Sequence, residues 1–524
     1  MGEEAAVTKK RNSSLVAMFA QGAKVHQQRS GAMLFTNLSR EDQLTVLWAE
    51  KGMSHSLIDA RKFRTIFGSN IPPGFHRKDI THRTKDFRTR LQAKVKDRVG
   101  GKFGTLAFDG WKHLEDHNVN TVMLCRGAAF YVSSDVVNHQ DVVSLTALFK
   151  KKAKLAKAMY NFFAIAGNAD NAHAFQAALR NCTQKDDDDP DFDPFLSAER
   201  CCMHALALVM KDFTALNPIK IACEVLDELI DWFSDADLRD KLRNVQTAAG
   251  VPPVRLLKPV ATRIGVKCTC FVRMLMLRTY IDLTLEGVEV STAWVSTAKW
   301  TAVEHSAMIL KPYCKQIGVV ESDRATLWDK YKGFQSLEKH VDELQTTEGV
   351  KTFGRHAKTL MGDRWAAQFD SPSVRAVAFC SPERVRKGEP APDALRTVRW
   401  ICEFGVELYQ REGKEQPRRD DGEPGLSDVL RGCCASFAAQ EGAYDDLDYT
   451  LQYEQFWHIA SLVDPYLPPV VKNGLLAISP TEASVHRPDR NKLARDTLDA
   501  TMFVGVNYPL MFADEEATAD TVEL

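Results

Sequence analysis

"GTLAFDGWKH", residues 104–113, sets a single acid, Asp109, at the end of an apolar run and follows it with Gly110 and Trp111. Asp before Gly commonly forms turns, because the carboxylate accepts from nearby backbone N–H groups and glycine tolerates the turn's backbone angles. The same place at a strand end also suits the first member of a metal-binding acid set. The surrounding stretches bear on the choice. "NTVMLC" (120–125), the turn "RGA" and "AFYVSSDVV" (129–137) are rich in the Val, Phe and Tyr that strands favour, and predict an antiparallel meander. "SLTALFKKKAKLAKAMYNF" (144–162) places Leu145, Leu148, Leu155 and Met159 on one helix face and lysines on the other. A short apolar run, "FFAIAG" (162–167), and a predicted helix, "NAHAFQAALRN" (171–181), follow. Three meandering strands, helix, strand and helix is an α/β order.

The rest of the chain reads differently. "QKDDDDPDFDP" (184–194) lacks the Gly and spaced terminal Glu of a calcium loop and reads as a solvated acidic linker. "ERCCMHALALVMKDF" (199–213) predicts a strand end turning into a helix. Helical periodicity then dominates: Ile221, Val225, Leu229 and Phe233 form one stripe, and Val266, Cys270, Met274, Leu277 and Ile281 another. "REGKEQPRRDDGEPGLSD" (411–428) reads as a surface loop. Residues 1 to about 100 are polar and lean helical, with a basic helix at "KDFRTRLQAKVKDRV".

Composition limits the function classes. With 68 Lys plus Arg against 69 Asp plus Glu, attraction to nucleic acid must come from local basic patches. The 12 cysteines follow no disulfide-framework spacing, so reduced thiols in an intracellular protein are expected. No membrane span and no secretory leader are expected either, and "TKKR" (8–11) reads as a nuclear-import run or, as such short runs usually do, as solvated tail.

The meander with an acid on its first strand is the opening of a ribonuclease-H-like order, in which acids on the first and fourth strands hold divalent metal for phosphodiester chemistry. Six stretches in series, "TLAFDGW", "AIAGNADNAHAF", "RCCMHALALVMKDF", "VATRIG", "KWTAVEHSAMILKPYCKQIG" and "FWHIASLVDPYLPPVVKNGLLAISPTEASVHRPDRNKL", resemble the landmarks of hAT-superfamily transposases between about residues 50 and 508.

That resemblance implies a fold class of α/β plus all-α, a ribonuclease-H-like mixed sheet core interrupted by a large helical insertion. The expected organisation is a helical region without a zinc finger (1–100), the first part of the core (101–217), the insertion (218–440), a C-terminal segment closing the core and supporting a homodimer (441–510), and an acidic tail (511–524). It also implies DNA as partner, the nucleus as location, and Mg²⁺ or Mn²⁺ held by two Asp and one Glu. Asp109 matches the first acid. At the second, in "GNADN", Gly167 stands where the acid belongs, with Asp170 three residues on as the nearest substitute or as a helix N-cap. At the third, His486 replaces the Glu, Pro488 cuts the helix short, and Glu482 lies one turn early.

The vestigial or altered triad is therefore Asp109, Asp170 and Glu482, with Asp109 and Asp170 as metal ligands. Cys201 and His204 match a family pair near DNA; an ordinary helix start with a buried thiol, or half of a zinc site completed by Cys268 and Cys270, are the other readings. Arg263 is a candidate phosphate contact and Lys267 a candidate DNA contact; with Lys258 they cluster among apolar neighbours, and a solvated helix face explains them equally, while Ile264 replaces a family Trp that stacks on a base. Trp457, Ile459, Leu462, Val470, Leu475, Leu476 and Ile478 resemble the dimerisation segment, and simple core packing explains them equally. The expectation is a transposase-derived protein that has lost its catalysis; an active metal-dependent transposase with an altered triad is the alternative.

Overall fold

A computed structural model of the chain describes residues 38–50, 58–60, 64, 71–113, 116–125, 128–259, 264–286, 296–322, 325–391, 393–413, 425–480, 503, 504 and 507. Among these described residues the architecture is mixed: five strands and a long succession of helices. The strands hydrogen-bond in the order β3-β2-β1-β4-β5. Two compact units are present, one of residues 1–164, 185–194 and 483–524, the other of 165–184 and 195–482.

The first unit begins with α1 (Arg40–Glu50) and the basic α2 (Arg77–Val99). α2 buries Ile80, Thr84, Phe87, Leu91, Val95 and Val99, a stripe at helical spacing that leaves its cations outside. β1 (Phe103–His113), β2 (Asp116–Cys125) and β3 (Ala128–Val137) form the expected antiparallel meander. β1 runs further than its sequence suggests. Gly110 to His113 stay in the ladder opposite residues 116–119, so Asp109 lies inside the strand, opposite Asn120, and not at its end. At the β3 edge a bulge between Thr121 and Val122 shifts the register, and Asn507 fills in for a neighbouring strand. Its Oδ1 accepts from the Tyr131 N–H and its Nδ2 donates to the Tyr131 carbonyl, both at 2.9 Å.

α3 (Val142–Tyr160) starts on Asp141, which accepts from the Ser144 N–H at 2.8 Å. Its buried face is Leu145, Phe149, Lys152, Ala153, Ala156 and Tyr160. This corrects the predicted face: Met159 is exposed, because Phe149 stacks on Phe108 at 3.9 Å between ring centroids and sets the helix rotation. Lys152 is buried on that face only because Asp135 accepts from it at 2.6 Å.

The acidic stretch is likewise no solvated linker. Asp186 pairs with Lys150, Asp189 with Lys154 at 2.8 Å and Asp193 with Lys157 at 2.6 Å, a ladder climbing the lysine face of α3. Between the rungs Phe192 is buried, with the Lys150 ammonium 5.4 Å from its ring centre.

The second unit contains most of β4 (Phe163–Ala169), then α4 (His173–Asn181), β5 (Ser197–Arg200) and α5 (Cys202–Phe213). β4 and β5 are parallel, with Gly167 opposite Ala198 and Asn168 opposite Glu199. The helices continue as α6 (Ile219–Trp232), α7 (Ala236–Ala248), α8 (Ile264–Leu285), α9 (Thr297–Val320), α10 (Leu327–Leu344), α11 (Lys351–Arg364), α12 (Pro372–Phe379), α13 (Pro382–Arg386), α14 (Ala394–Arg411), α15 (Leu426–Ala439) and α16 (Tyr453–Ala460). α5 to α11 share one core in which Val225, Leu229, Met274, Leu277, Ile281, Val303, Tyr313 and Val341 are buried. Both helical stripes read from the sequence lie in or against it, Ile221 and Val266 at its margin.

Candidate functional site

Residues 165–169 of β4 are buried, as a strand covered on both faces must be, and Gly167 sits at their centre. A Cβ built on Gly167 would lie 2.5 Å from Leu179 Cδ2 and 2.8 Å from two ring carbons of Phe195. Leu179 and Phe195 are themselves 0 and 1 % exposed, so neither has free space to move into. The position expected to carry the second acid therefore has neither a side chain nor room for one. A two-ion site of the implied kind needs a carboxylate here, and the residues present do not fit it.

Asp170 leaves the end of β4 half-buried, and its Oδ1 accepts from the Ala172 N–H at 2.9 Å. This is an Asx turn leading into α4, whose N-cap is Ala172; the carboxylate caps the approach to the helix, not the helix itself. Asp109 is half-buried in β1. Glu482 and Arg263 lie outside the described residues, as does His486. Among the described residues no three His, Cys, Asp or Glu side chains are grouped as a metal site.

The chain just before Glu482 is fixed at the same strand end. Asn168, fully buried, donates from Nδ2 to the Ser479 carbonyl at 3.1 Å, and the Cys202 N–H donates to the Pro480 carbonyl at 2.8 Å. Ser479 and Pro480 thus lie against the end of β4 and the start of α5. Cys201 is the buried N-cap of α5, and its N–H donates to the Ala169 carbonyl at 2.9 Å. His204, on the first turn, is half-buried. Burial pushes the adjacent Cys202 thiol up to about 12, with the Lys330 charge pulling the other way. Lys267 belongs elsewhere: on α8, its ammonium donates to the Cys223 thiol at 3.6 Å.

One charged centre is an acid whose position the sequence marks as informative without giving it a role. Glu199, 0 % exposed, shares a face of β5 with Ser197 by the two-residue strand period. Its Oε1 accepts from Ser197 Oγ at 2.6 Å and from Ser373 Oγ; its Oε2 accepts from Ser371 Oγ at 3.2 Å and from Lys330 Nζ at 3.4 Å. Lys330 is 1 % exposed. A solvent-free ion pair of this kind, with three serine hydroxyls on its carboxylate, ties β5 to α10 and α12. The only early signal was the period itself, a Ser and a Glu on one face of "SAER".

The C-terminal segment divides in two. Trp457, Val470, Leu475 and Ile478 are buried, and the Trp457 indole N–H donates to the Cys380 carbonyl at 3.0 Å. Ile459, Leu462 and Val463 are exposed, Leu462 at 78 %. Among the described residues no helix is long and apolar enough to cross a membrane. No protein-family model matches the chain, and no curated protein is significantly similar to it.

Proposed function

We propose that the chain is a transposase-derived nuclear protein of the hAT kind, with a ribonuclease-H-like core that no longer cuts DNA, and that it acts by associating with DNA and with a second copy of itself. The single observation that carries the loss of catalysis is the packing at Gly167, where Leu179 and Phe195 fill the space a ligand carboxylate would need. Each metal ion in phosphodiester cleavage stabilises developing charge by several kcal/mol, and about 1.4 kcal/mol is tenfold in rate. A site without its second ligand is inert by many powers of ten.

The DNA half of the reading is supported by α2. Its sequence carries nine Lys and Arg against three Asp, its apolar stripe is already buried, and Arg77, Lys78, Lys85, Arg90, Lys94 and Lys96 are exposed. Phosphate contacts of that sort supply most of sequence-independent binding. The self-association half is supported by the exposed Ile459, Leu462 and Val463 in a segment otherwise committed to the core.

Purified protein with Mn²⁺ and DNA carrying candidate terminal repeats tests the reading. Neither nicking nor joining is expected, and Asp109→Asn is expected to change nothing. Metal-dependent cleavage abolished by Asp109→Asn would overturn it.

A further inference from the structure

α3 carries five lysines between residues 150 and 157. Lys152 is held inward by Asp135, whereas Lys150, Lys154 and Lys157 recur at four and three residues and so line one edge of the helix. Three acids of the 185–194 segment meet them at a matching step, Asp186, Asp189 and Asp193. Two successive turns keep these acids in register: the Asp189 N–H donates to the Asp186 carbonyl and the Phe192 N–H to the Asp189 carbonyl, both at 3.1 Å. The segment leaves and returns at one point, where the Phe195 N–H donates to the Cys182 carbonyl at 2.8 Å. A loop closed at its base in this way lifts off without opening a strand or a helix.

Its composition is poor for a structural staple. Six of the ten residues from 185 to 194 are Asp, Phe192 is the buried apolar anchor, and Asp187, Asp188 and Asp191 are exposed. The outer rungs lie open to water, with the Lys154 and Lys157 side chains 40 and 47 % exposed, and ion pairs so placed contribute little to stability. What they do is occupy cations, since a carboxylate offers a lysine ammonium the same kind of charged oxygen that a phosphodiester does.

We propose that the lysine edge of α3 is a second surface for the DNA backbone, and that the acidic segment covers it as a built-in substitute for phosphate; this rests on the DNA association inferred above and adds a regulated surface to it. While the segment is seated, Lys150, Lys154 and Lys157 are neutralised within the chain and attract no phosphate. Once it is displaced or loses its charge, three lysines along one helix edge become available. Each phosphate contact with duplex DNA adds about 0.9 to the slope of log affinity against log salt, so three add up to about 2.7, or about 40-fold between 50 and 200 mM salt.

The test uses the full chain and a fluorescent duplex of random sequence, with anisotropy followed across that salt range. Asp186→Asn combined with Asp189→Asn and Asp193→Asn is expected to bind more tightly than wild type at low salt and to lose up to about 40-fold more affinity across the series. Asp187→Asn combined with Asp188→Asn and Asp191→Asn removes the same charge from the same segment, and is expected to leave the slope unchanged. Adding Lys150→Gln, Lys154→Gln and Lys157→Gln to the first variant is expected to abolish its gain. Circular dichroism confirms that each variant is folded, and Asp189→Asn with Asp193→Asn, at the two more open rungs, serves if the triple variant does not fold. Equal gains from the two Asp variants, or duplex bound alike by wild type and the first variant, would overturn the covering and leave the DNA association standing. No duplex binding by any of these proteins removes the DNA association itself; retention on heparin then decides the covering alone, later for the first variant if the lysines are covered and unchanged if they are not.

Discussion

Gly167→Ala adds one methyl group and isolates the packing argument. Gly167 does not adopt a left-handed backbone, so alanine is allowed by conformation and gains about 0.4–1 kcal/mol through the less flexible unfolded chain. Against this stands contact at 2.5 Å with Leu179 and 2.8 Å with Phe195, close to 1 Å inside ordinary van der Waals separation. Overpacking of a filled core costs about 1–3 kcal/mol, so the clash wins. The urea midpoint of the full chain, followed by far-ultraviolet circular dichroism, is expected to fall at constant slope. Gly167→Asp is expected to fall further, because a desolvated carboxylate adds to the same overlap. In a double-mutant cycle, Leu179→Ala removes the offending methyl, and the pair is expected to be less destabilised than the sum of the singles by about 0.5–3 kcal/mol. A Gly167→Ala chain as stable as wild type, or a Gly167→Asp chain that gains Mn²⁺-dependent nicking, would refute the reasoning.

Four further outcomes are expected. Glu199→Gln strands a buried ammonium and is expected to cost about 3–5 kcal/mol in chemical denaturation, while Glu199→Gln with Lys330→Met costs less than the sum; equal additivity would remove the pair as a unit. The Lys150 ammonium hydrogen-bonded to Asp186 holds that carboxyl below the ordinary 3.8. Because the folded value is depressed, the rung's contribution is present above 3.8 and disappears as pH falls through the folded value. Hydrogen-exchange protection factors over residues 185–194 are expected to drop in that window, and unchanged protection counts against the ladder. Reversing charge at Lys78, Lys85 and Arg90, all exposed on α2, is expected to weaken DNA binding in low-salt gel shifts and to flatten its salt dependence; binding indifferent to these changes removes α2 from the interface. Leu462→Glu is expected to yield monomer in light scattering with an unaltered circular dichroism spectrum, and a persisting dimer would move the contact elsewhere.

Element type was largely legible in the sequence, since strand composition and helical period act locally. The meander from 103 to 137, the helix after it, β4, α4, the β5 to α5 turn and the helical run beyond 218 all stand where residue pattern put them. What escaped depends on partners far along the chain. The true face of α3 is set by Phe149 against Phe108, and the Asp ladder needs lysines some 35 residues earlier to be recognised as anything but solvated charge. Continuation of β1 past Asp109 depends on its pairing with β2. At the candidate site the sequence displayed a glycine at 167, where the resemblance calls for an acid, but not the packing around it, because Leu179 and Phe195 come from a helix and a loop that only folding brings over the strand. The role of Glu199 escaped for the same cause: its partners at 330, 371 and 373 are scattered.

The Asn507 clamp on Tyr131 bears on how the molecule is made. β3 is the outer strand of its sheet, and its covering amide arrives 376 positions later in the chain. During synthesis the ladder groups of Tyr131 therefore wait, bare, for nearly the whole polypeptide to emerge, and an uncovered strand border invites pairing with other chains. A message cut short before codon 507 is expected to yield a product prone to clumping although all five strands of the described sheet are present.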